Sequence, residues 1–122
     1  MLDKLGVKAG ARVSTLGIKG SGFVDELRRR RASVTVGRAS KGSDLIFVYV
    51  DHRDDLDRAL APLESALVRN GAVWVVRPKG SPDIKEVDVI EAGKRAGLVD
   101  NKIASFSDTL SAMRLVIPVA RR

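Results

Sequence analysis

Two unbroken apolar runs, separated by a segment with leucines at helical spacing, dominate the hydrophobic pattern of the chain. Leu45–Val50 and Ala72–Val76 contain no polar position, which is typical of strands buried on both faces of a parallel sheet. The leucines between them form one apolar helix face, and they are Leu56, Leu60, Leu63 and Leu67. The pattern predicts a strand, a helix and a second strand, arranged as a crossover between parallel neighbours.

Three features refine the central helix. The acidic residues Asp54, Asp55 and Asp57 lie in its first turns, where the helix dipole favours anions. Pro62 lacks an N–H and clashes with the preceding turn, so it predicts a kink or a restart. Asn70–Gly71 predicts the end of the helix, because a residue with positive φ commonly follows a helical C-terminus.

The flanking segments extend the same architecture. We predict further strands at Arg12–Leu16, Ser33–Val36, Asn101–Phe106 and Met113–Val119, and helices at Asp25–Arg31 and from Ser81 to about Ala96. The short link from Ser107 to Ala112 favours an antiparallel hairpin over a crossover. The predicted fold class is therefore α/β: a three-layer Rossmann-like sheet, mostly parallel, with a C-terminal antiparallel hairpin.

Composition limits the class of protein. The 122 residues predict one domain, spanning residues 1–122, because a chain of this length buries a single core. There is no cysteine, which removes disulfides, thiol catalysis and cysteine-ligated metals. No stretch has the apolar length of a membrane span, and the N-terminus lacks a hydrophobic signal core. We therefore expect a cytoplasmic protein with no membrane partner.

The basic charge is concentrated at one end of the sequence. Residues 1–42 contain ten Lys or Arg and three Asp or Glu, whereas residues 43–122 contain 12 of each, so the net charge of +7 belongs to the first third. This asymmetry indicates attraction to an anion or to nucleic acid. Arg28, Arg29, Arg30 and Arg31 are the candidate phosphate contacts. The alternative is a solvated surface that aids solubility.

A glycine-rich loop provides a candidate anion site. Residues 17–22 read GIKGSG between a predicted strand and a predicted helix, the arrangement that places phosphate at a helix N-terminus. The loop matches neither G-x-G-x-x-G nor the P-loop, and such a turn also serves chain geometry alone. The candidate ligand-binding residues, all expected at the carboxyl edge of the sheet, are Lys19, Gly20, His52, Arg77 and Lys79. For His52 the alternative is a residue at the start of a helix, and for Arg77 and Lys79 it is ordinary loop charge.

Three segments carry a resemblance to known families: LGVKAG (5–10), VWVVRPKG (73–80) and AGLVDNKIASFSDTLSAMRLVI (96–117). The chain resembles a family of short bacterial proteins known only as a domain of unknown function. Its strands also resemble those of S-adenosylmethionine-dependent methyltransferases, with SDLIFVYV and NGAVWVVRPKG in place of that family's fourth and fifth strands. The resemblance implies a methyltransferase-like fold and no established activity.

The same comparison disfavours S-adenosylmethionine as a cofactor. Thr15 and Leu16 stand where the methyltransferase motif requires an acidic residue, and Gly37 and Arg38 follow the second strand without a carboxylate. The cofactor would lose its main hydrogen-bond acceptors. Our first hypothesis is a non-catalytic binding or regulatory module for an anionic small molecule. The alternatives are a minimal methyltransferase and a basic protein that associates with nucleic acid, and no metal site is predicted.

Overall fold

The computed structural model describes residues 2–19 and 22–122. The strands are β1 (Arg12–Leu16), β2 (Ser33–Val36), β3 (Ser43–Tyr49), β4 (Leu67–Pro78), β5 (Val99–Ser105) and β6 (Leu110–Val116). The helices are α1 (Phe23–Arg29), α2 (Leu56–Leu60), α3 (Leu63–Ala66) and α4 (Glu86–Arg95). The six strands form one sheet in the order β2-β1-β3-β4-β6-β5.

The sheet is mostly parallel, as predicted. β1 pairs in parallel with β2 and β3, and β3 pairs in parallel with β4. β6 is antiparallel to both of its neighbours, β4 and β5, because the link from β5 to β6 is too short for a crossover. The predicted α/β fold with a C-terminal antiparallel hairpin is therefore confirmed, and β3 and β4 lie in the interior of the sheet.

Both faces of the central strands are buried, which explains their lack of alternation. Ile46 and Val48 face the layer formed by α2, α3 and α4. Leu45 and Phe47 face the opposite layer, which is formed by α1 and the N-terminal segment Leu2–Val7. The sheet is thus the middle of three layers.

The N-terminal segment is part of this second layer although it has no regular secondary structure. Its Leu5 is almost completely buried, and the Leu5 carbonyl accepts a hydrogen bond of 3.0 Å from Nε1 of the fully buried Trp74. A buried indole N–H requires such a partner. Residues 2–7 therefore complete the core rather than merely leading into it.

The predicted end of the central helix is wrong. Helix α3 ends at Ala66, and β4 begins at Leu67. Along β3 and β4 the register runs from Ser43–Leu67 directly to Leu45–Ala72, so residues 68–71 bulge out of the ladder opposite Asp44. Gly71 fits there because a Cβ at this position would lie 2.8 Å from the Asp44 carbonyl oxygen. Asn70–Gly71 therefore marks a strand irregularity and not a helix terminus.

The two proline-containing segments behave differently. Pro62 separates α2 from α3, which confirms the predicted restart. The helix predicted from Ser81 instead begins at Glu86, and the Lys85 N–H donates to Asp88 Oδ2 at 2.8 Å at its start. Ser81 Oγ accepts from the Asp83 N–H within the preceding turn. A side chain suited to a helix cap therefore serves a local turn.

No helix in the described ranges 2–19 and 22–122 is long and apolar enough to cross a lipid bilayer.

Arg121, close to the C-terminus, docks against the helical layer. Its guanidinium donates to the Gly97 carbonyl at 2.7 Å and binds Glu64. The end of the chain is therefore fixed to the residues that follow α4.

Candidate functional site

A cavity of about 650 Å³ opens at the carboxyl ends of β1 and β3. The residues after β1 form one wall, and the start of α2 forms a second. The turn between β5 and β6 closes the third side. Open α/β sheets bind ligands at this edge, and the volume is in the range of small-molecule sites.

The interior of the cavity is apolar and aromatic. Ile18, Tyr49, Phe106 and Leu110 contribute to its lining, and the buried Phe106 ring packs 4.8 Å from Phe23 in the core. Partial burial raises the pKa of the Tyr49 hydroxyl, and the nearby Asp51 carboxylate raises it further. Tyr49 therefore remains protonated at neutral pH and offers a hydrogen-bond donor to a ligand.

The mouth of the cavity carries both signs of charge. Lys19 and Arg58 are cationic, and Asp51 and Asp55 are anionic. Arg58 Nη2 lies 2.9 Å from Asp55 Oδ1, so these two charges satisfy each other. Among the described residues, no ion pair involves Lys19 or Asp51. One ammonium and one carboxylate therefore remain for a ligand.

Lys79 supports a wall of the cavity without lining it. Its ammonium donates to Ser105 Oγ at 2.7 Å, and its backbone N–H donates to the Thr109 carbonyl. Ser105 Oγ donates in turn to the Ser107 carbonyl. These bonds connect the end of β4 to the β5–β6 turn, so Lys79 positions Ser107 and Leu110.

The structure places His52 and Arg77 outside the cavity lining. His52 Nδ1 accepts a hydrogen bond from the Asp54 N–H at 3.2 Å and caps the single 3-10 turn that leads into α2. The Arg77 side chain is nearly buried, donates to the Ile84 carbonyl and lies 3.6 Å from Glu86. Both residues fix connections between elements. Of the described members of the predicted anion-binding set, Lys19 alone lines the cavity. Gly20 lies outside the described residues.

The ends of β1 and β2 lack the acidic residues that hold a nucleotide cofactor in the usual way. That mode requires a carboxylate at the end of the second strand to bind the ribose hydroxyls. Here β2 ends at Val36, whose exposed fraction is 58%, and Gly37 follows with a φ of 87°. In β1, Thr15 is buried and forms part of the parallel ladder. Neither position supplies an acidic acceptor.

The four consecutive arginines occupy two different environments. Arg30 Nη1 donates to Asp3 Oδ1 at 2.7 Å and to the Val7 carbonyl at 3.0 Å, and this hydrogen bond and charge lower the pKa of Asp3. Arg30 therefore ties α1 to the N-terminal segment. Arg28, Arg29 and Arg31 are exposed at the other end of the sheet from the cavity.

Comparison with known proteins identifies the family. The model of a family described as a protein of unknown function, DUF3052, matches residues 3–119. The chain belongs to this family. None of the curated proteins compared with the chain is significantly similar in sequence. The family resemblance predicted from residues 5–10, 73–80 and 96–117 is thus confirmed.

Solved structures with the same fold include several methyltransferases. A TehB-like SAM-dependent methyltransferase from Corynebacterium glutamicum is 16% identical with a TM-score of 0.64, and the match covers 96% of this chain and 85% of that one. A SAM-dependent methyltransferase from Aquifex aeolicus is 15% identical with a TM-score of 0.71, and the match covers 96% of this chain and 87% of that one. A magnesium protoporphyrin IX methyltransferase from Synechocystis, solved with bound SAM, is 12% identical with a TM-score of 0.73. That match covers 96% of this chain and 74% of the other. These identities establish a methyltransferase-like fold only.

The sequence predicts a ligand site at the carboxyl edge of the sheet, where the cavity also lies, but it does not indicate most of the residues that line the cavity. Tyr49, the lone tyrosine of the chain, stands within an apolar run that predicts a buried strand, so the sequence does not single it out as a site residue. In the structure it is the last residue of β3. Phe106 lies in the turn after β5 and Leu110 begins β6, and both approach the cavity only in the folded sheet. The available signal is Tyr49 followed by Asp51, which puts a hydroxyl and a carboxylate at one strand end.

Proposed function

We propose that this protein is a non-catalytic binding domain for a small molecule that carries both an anionic and a cationic group. The cavity beside Tyr49 is the single observation on which the proposal depends. Its apolar interior suits the body of a ligand, and its mouth offers one free charge of each sign. The sequence suggested an anionic ligand, and the mixed charges of the mouth favour a zwitterion.

The charges at the mouth define how the ligand would bind. Lys19 would contact the acidic group of the ligand, and Asp51 would contact its ammonium group. Arg58 and Asp55 pair with each other at 2.9 Å and contribute little net charge. The Tyr49 hydroxyl would donate to an acceptor in the body of the ligand.

The side chains at the cavity support binding more than catalysis. Covalent catalysis needs a nucleophile within hydrogen-bond reach of a base. In residues 2–19 and 22–122 no hydrogen bond joins two of the side chains that line this cavity, other than Arg58 to Asp55. Tyr49 has a raised pKa, so it is a poor base at neutral pH.

A minimal methyltransferase is the second candidate. The fold and the position of the cavity favour it, since one neighbour of the same fold contains bound SAM. The absence of an acidic residue after Val36 argues against it, because the ribose of that cofactor would lack its usual partner.

Native mass spectrometry of the purified protein tests the first candidate. We expect the wild-type protein to carry a bound small molecule. The Asp51→Asn and Lys19→Gln variants should each lack it. Asp83→Asn, an exposed carboxylate outside the cavity, is the matched control and should retain the molecule. A wild-type protein that carries no molecule, and that no zwitterionic amino acid stabilises in thermal unfolding, would contradict the proposal.

Calorimetric titration with S-adenosylmethionine and S-adenosylhomocysteine separates the two candidates. A binding-only domain of the proposed kind should show no dissociation constant near about 1 μM, or about −8 kcal/mol, for either compound. Micromolar binding would identify S-adenosylmethionine as the ligand, and transfer of its methyl group to an acceptor would then favour the methyltransferase.

A further inference from the structure

The surface opposite the cavity is strongly basic. Because β1, β2 and β3 are parallel, the segments that precede them meet at one edge of the sheet, and α1 ends at the same edge. We call this the amino-end surface, and its cations are Lys8, Arg12, Arg28, Arg29, Arg31 and Lys41.

Hydrogen bonds show that these segments are adjacent. The Gly10 N–H donates to the Arg31 carbonyl at 3.0 Å, which brings the Lys8 loop beside the end of α1. Arg12 pairs with Ser33 in the ladder, and its Nη2 lies 3.4 Å from the Lys41 carbonyl. The cations therefore form one continuous surface despite their separation in sequence.

Little negative charge faces this surface. Asp3 binds Arg30, and Asp44 Oδ2 accepts from the Arg12 backbone N–H at 2.8 Å. The other two acids of the first third, Asp25 and Glu26, lie in the first turn of α1, at the far end of that helix. Among the described residues, Arg30 is the one cation of residues 1–42 that has a carboxylate partner. Asp44 offsets one of the positive charges, and the amino-end surface stays strongly basic.

Arg31 occupies a backbone position that normally selects glycine. Its N–H donates to the Arg28 carbonyl, and the Ala32 N–H donates to the Leu27 carbonyl, which is the Schellman pattern at a helix end. Arg31 has a φ of 66°, the one positive value among described non-glycine residues. A side chain in this conformation lowers the stability of the folded state. A functional role for the charge of Arg31 would explain why arginine occupies the position despite this cost.

We propose that the amino-end surface binds a nucleic-acid duplex through backbone phosphates, without reading base sequence. Arginine is suited to phosphate because its planar guanidinium donates two parallel hydrogen bonds. The exposed large apolar residues are Val36, Val87, Val99, Ile103 and Val119, and none belongs to this surface. An apolar anchor for a membrane is therefore missing among the described residues, and a rigid array of phosphates fits better.

The binding should be dominated by counterion release. The logarithm of the association constant falls with the logarithm of salt concentration by about 0.9 for each neutralised phosphate of B-DNA. Contacts from four to six cations predict a slope between about −3.6 and −5.4. Because the cavity lies at the other edge of the sheet, this proposal stands independently of the small-molecule proposal.

Fluorescence anisotropy with a labelled duplex of about 20 base pairs, at salt from about 50 to 200 mM, tests the proposal. The test variant is Arg29→Ala/Arg31→Gly. We expect at least roughly fivefold weaker binding at the lowest salt, and a slope less steep by about 0.9 for each phosphate that the variant no longer neutralises. Arg31→Gly alone should raise the unfolding midpoint by a few degrees, because glycine relieves the left-handed conformation, so weaker binding cannot be attributed to misfolding.

The control is Arg53→Ala/Lys94→Ala, which removes the same charge from exposed positions outside the amino-end surface. It should bind like the wild type. Duplex RNA in parallel shows which nucleic acid binds more tightly, and either result supports the proposal. No binding of any duplex at the lowest salt, equal losses in test and control variants, or binding to vesicles of anionic phospholipid without binding to duplex would overturn it.

Discussion

Tyr49 connects the fold to the candidate site at the scale of single residues. It ends β3, so its backbone is fixed by the central ladder. Its side chain packs partly on the core and partly lines the cavity. Gly17 lies beside it after the end of β1 and has a φ of 74°, a backbone conformation that favours glycine. The chain has one tyrosine and one tryptophan, so the phenol can be observed directly.

Titration of the phenol absorbance near 295 nm should give a Tyr49 midpoint above the ordinary value of about 10. Burial is the larger cause of the raised pKa, and the charge of Asp51 is the smaller. Asp51→Asn should therefore lower the midpoint only partly. Since the folded state holds the phenol proton more tightly than the unfolded state, this group leaves stability unchanged below the unfolded pKa. It reduces stability as pH rises through the folded pKa.

The same titration in concentrated urea supplies the control, and its midpoint should lie near about 10. A folded midpoint at or below the urea value would show that the Tyr49 hydroxyl is fully hydrated, and would remove it from the proposed cavity.

At the scale of elements, the sequence predicted which strands and helices exist better than it predicted the residues at which they begin and end. β3 and β4 could be predicted because strands buried on two faces leave an unbroken apolar run. Leu67 continues the leucine spacing of α2 and α3, yet it belongs to β4, because tertiary pairing with Ser43 decides its conformation. Asn70–Gly71 is compatible with a helix end and with a strand bulge, and only the position of Asp44 separates the two.

The N-terminal segment gives the test at this scale. Leu5→Ala should lower the free energy of unfolding by about 2–5 kcal/mol, the usual cost of truncating a buried leucine. It should also move the Trp74 emission towards longer wavelength, because loss of the Leu5 side chain loosens the segment whose carbonyl accepts from the indole N–H and lets water approach the ring. Denaturant unfolding followed by Trp74 fluorescence measures both effects.

Lys4→Ala is the matched control, because the Lys4 side chain is exposed and only its backbone carbonyl contacts Lys102. Its free energy of unfolding should change by no more than about 0.5 kcal/mol. If Leu5→Ala behaved like Lys4→Ala, residues 2–7 would not be part of the cooperative core.

The whole molecule has two chemically different edges, and this follows from the direction of its strands. Segments that leave β1 and β3 meet at the cavity, and segments that enter β1, β2 and β3 meet at the amino-end surface. The sequence indicates this division through its parallel pattern and its basic first third. It does not predict the third wall of the cavity, because Phe106 and Leu110 reach that edge through the antiparallel insertion of β6 between β4 and β5.

The basic edge should also limit the stability of the molecule. The net charge of +7 is concentrated in residues 1–42, and repulsion among clustered like charges opposes the compact state. Raising sodium chloride from about 20 to 300 mM should therefore raise the unfolding midpoint, since screening shortens the range of this repulsion.

Arg29→Ala/Arg31→Gly should be more stable than the wild type at low salt and less sensitive to salt. Arg53→Ala/Lys94→Ala should retain the wild-type response, because those charges lie where acids and bases balance. Differential scanning calorimetry provides the measurement, and a wild-type midpoint that falls with salt would show that attractive ion pairs outweigh the repulsion at the amino-end surface.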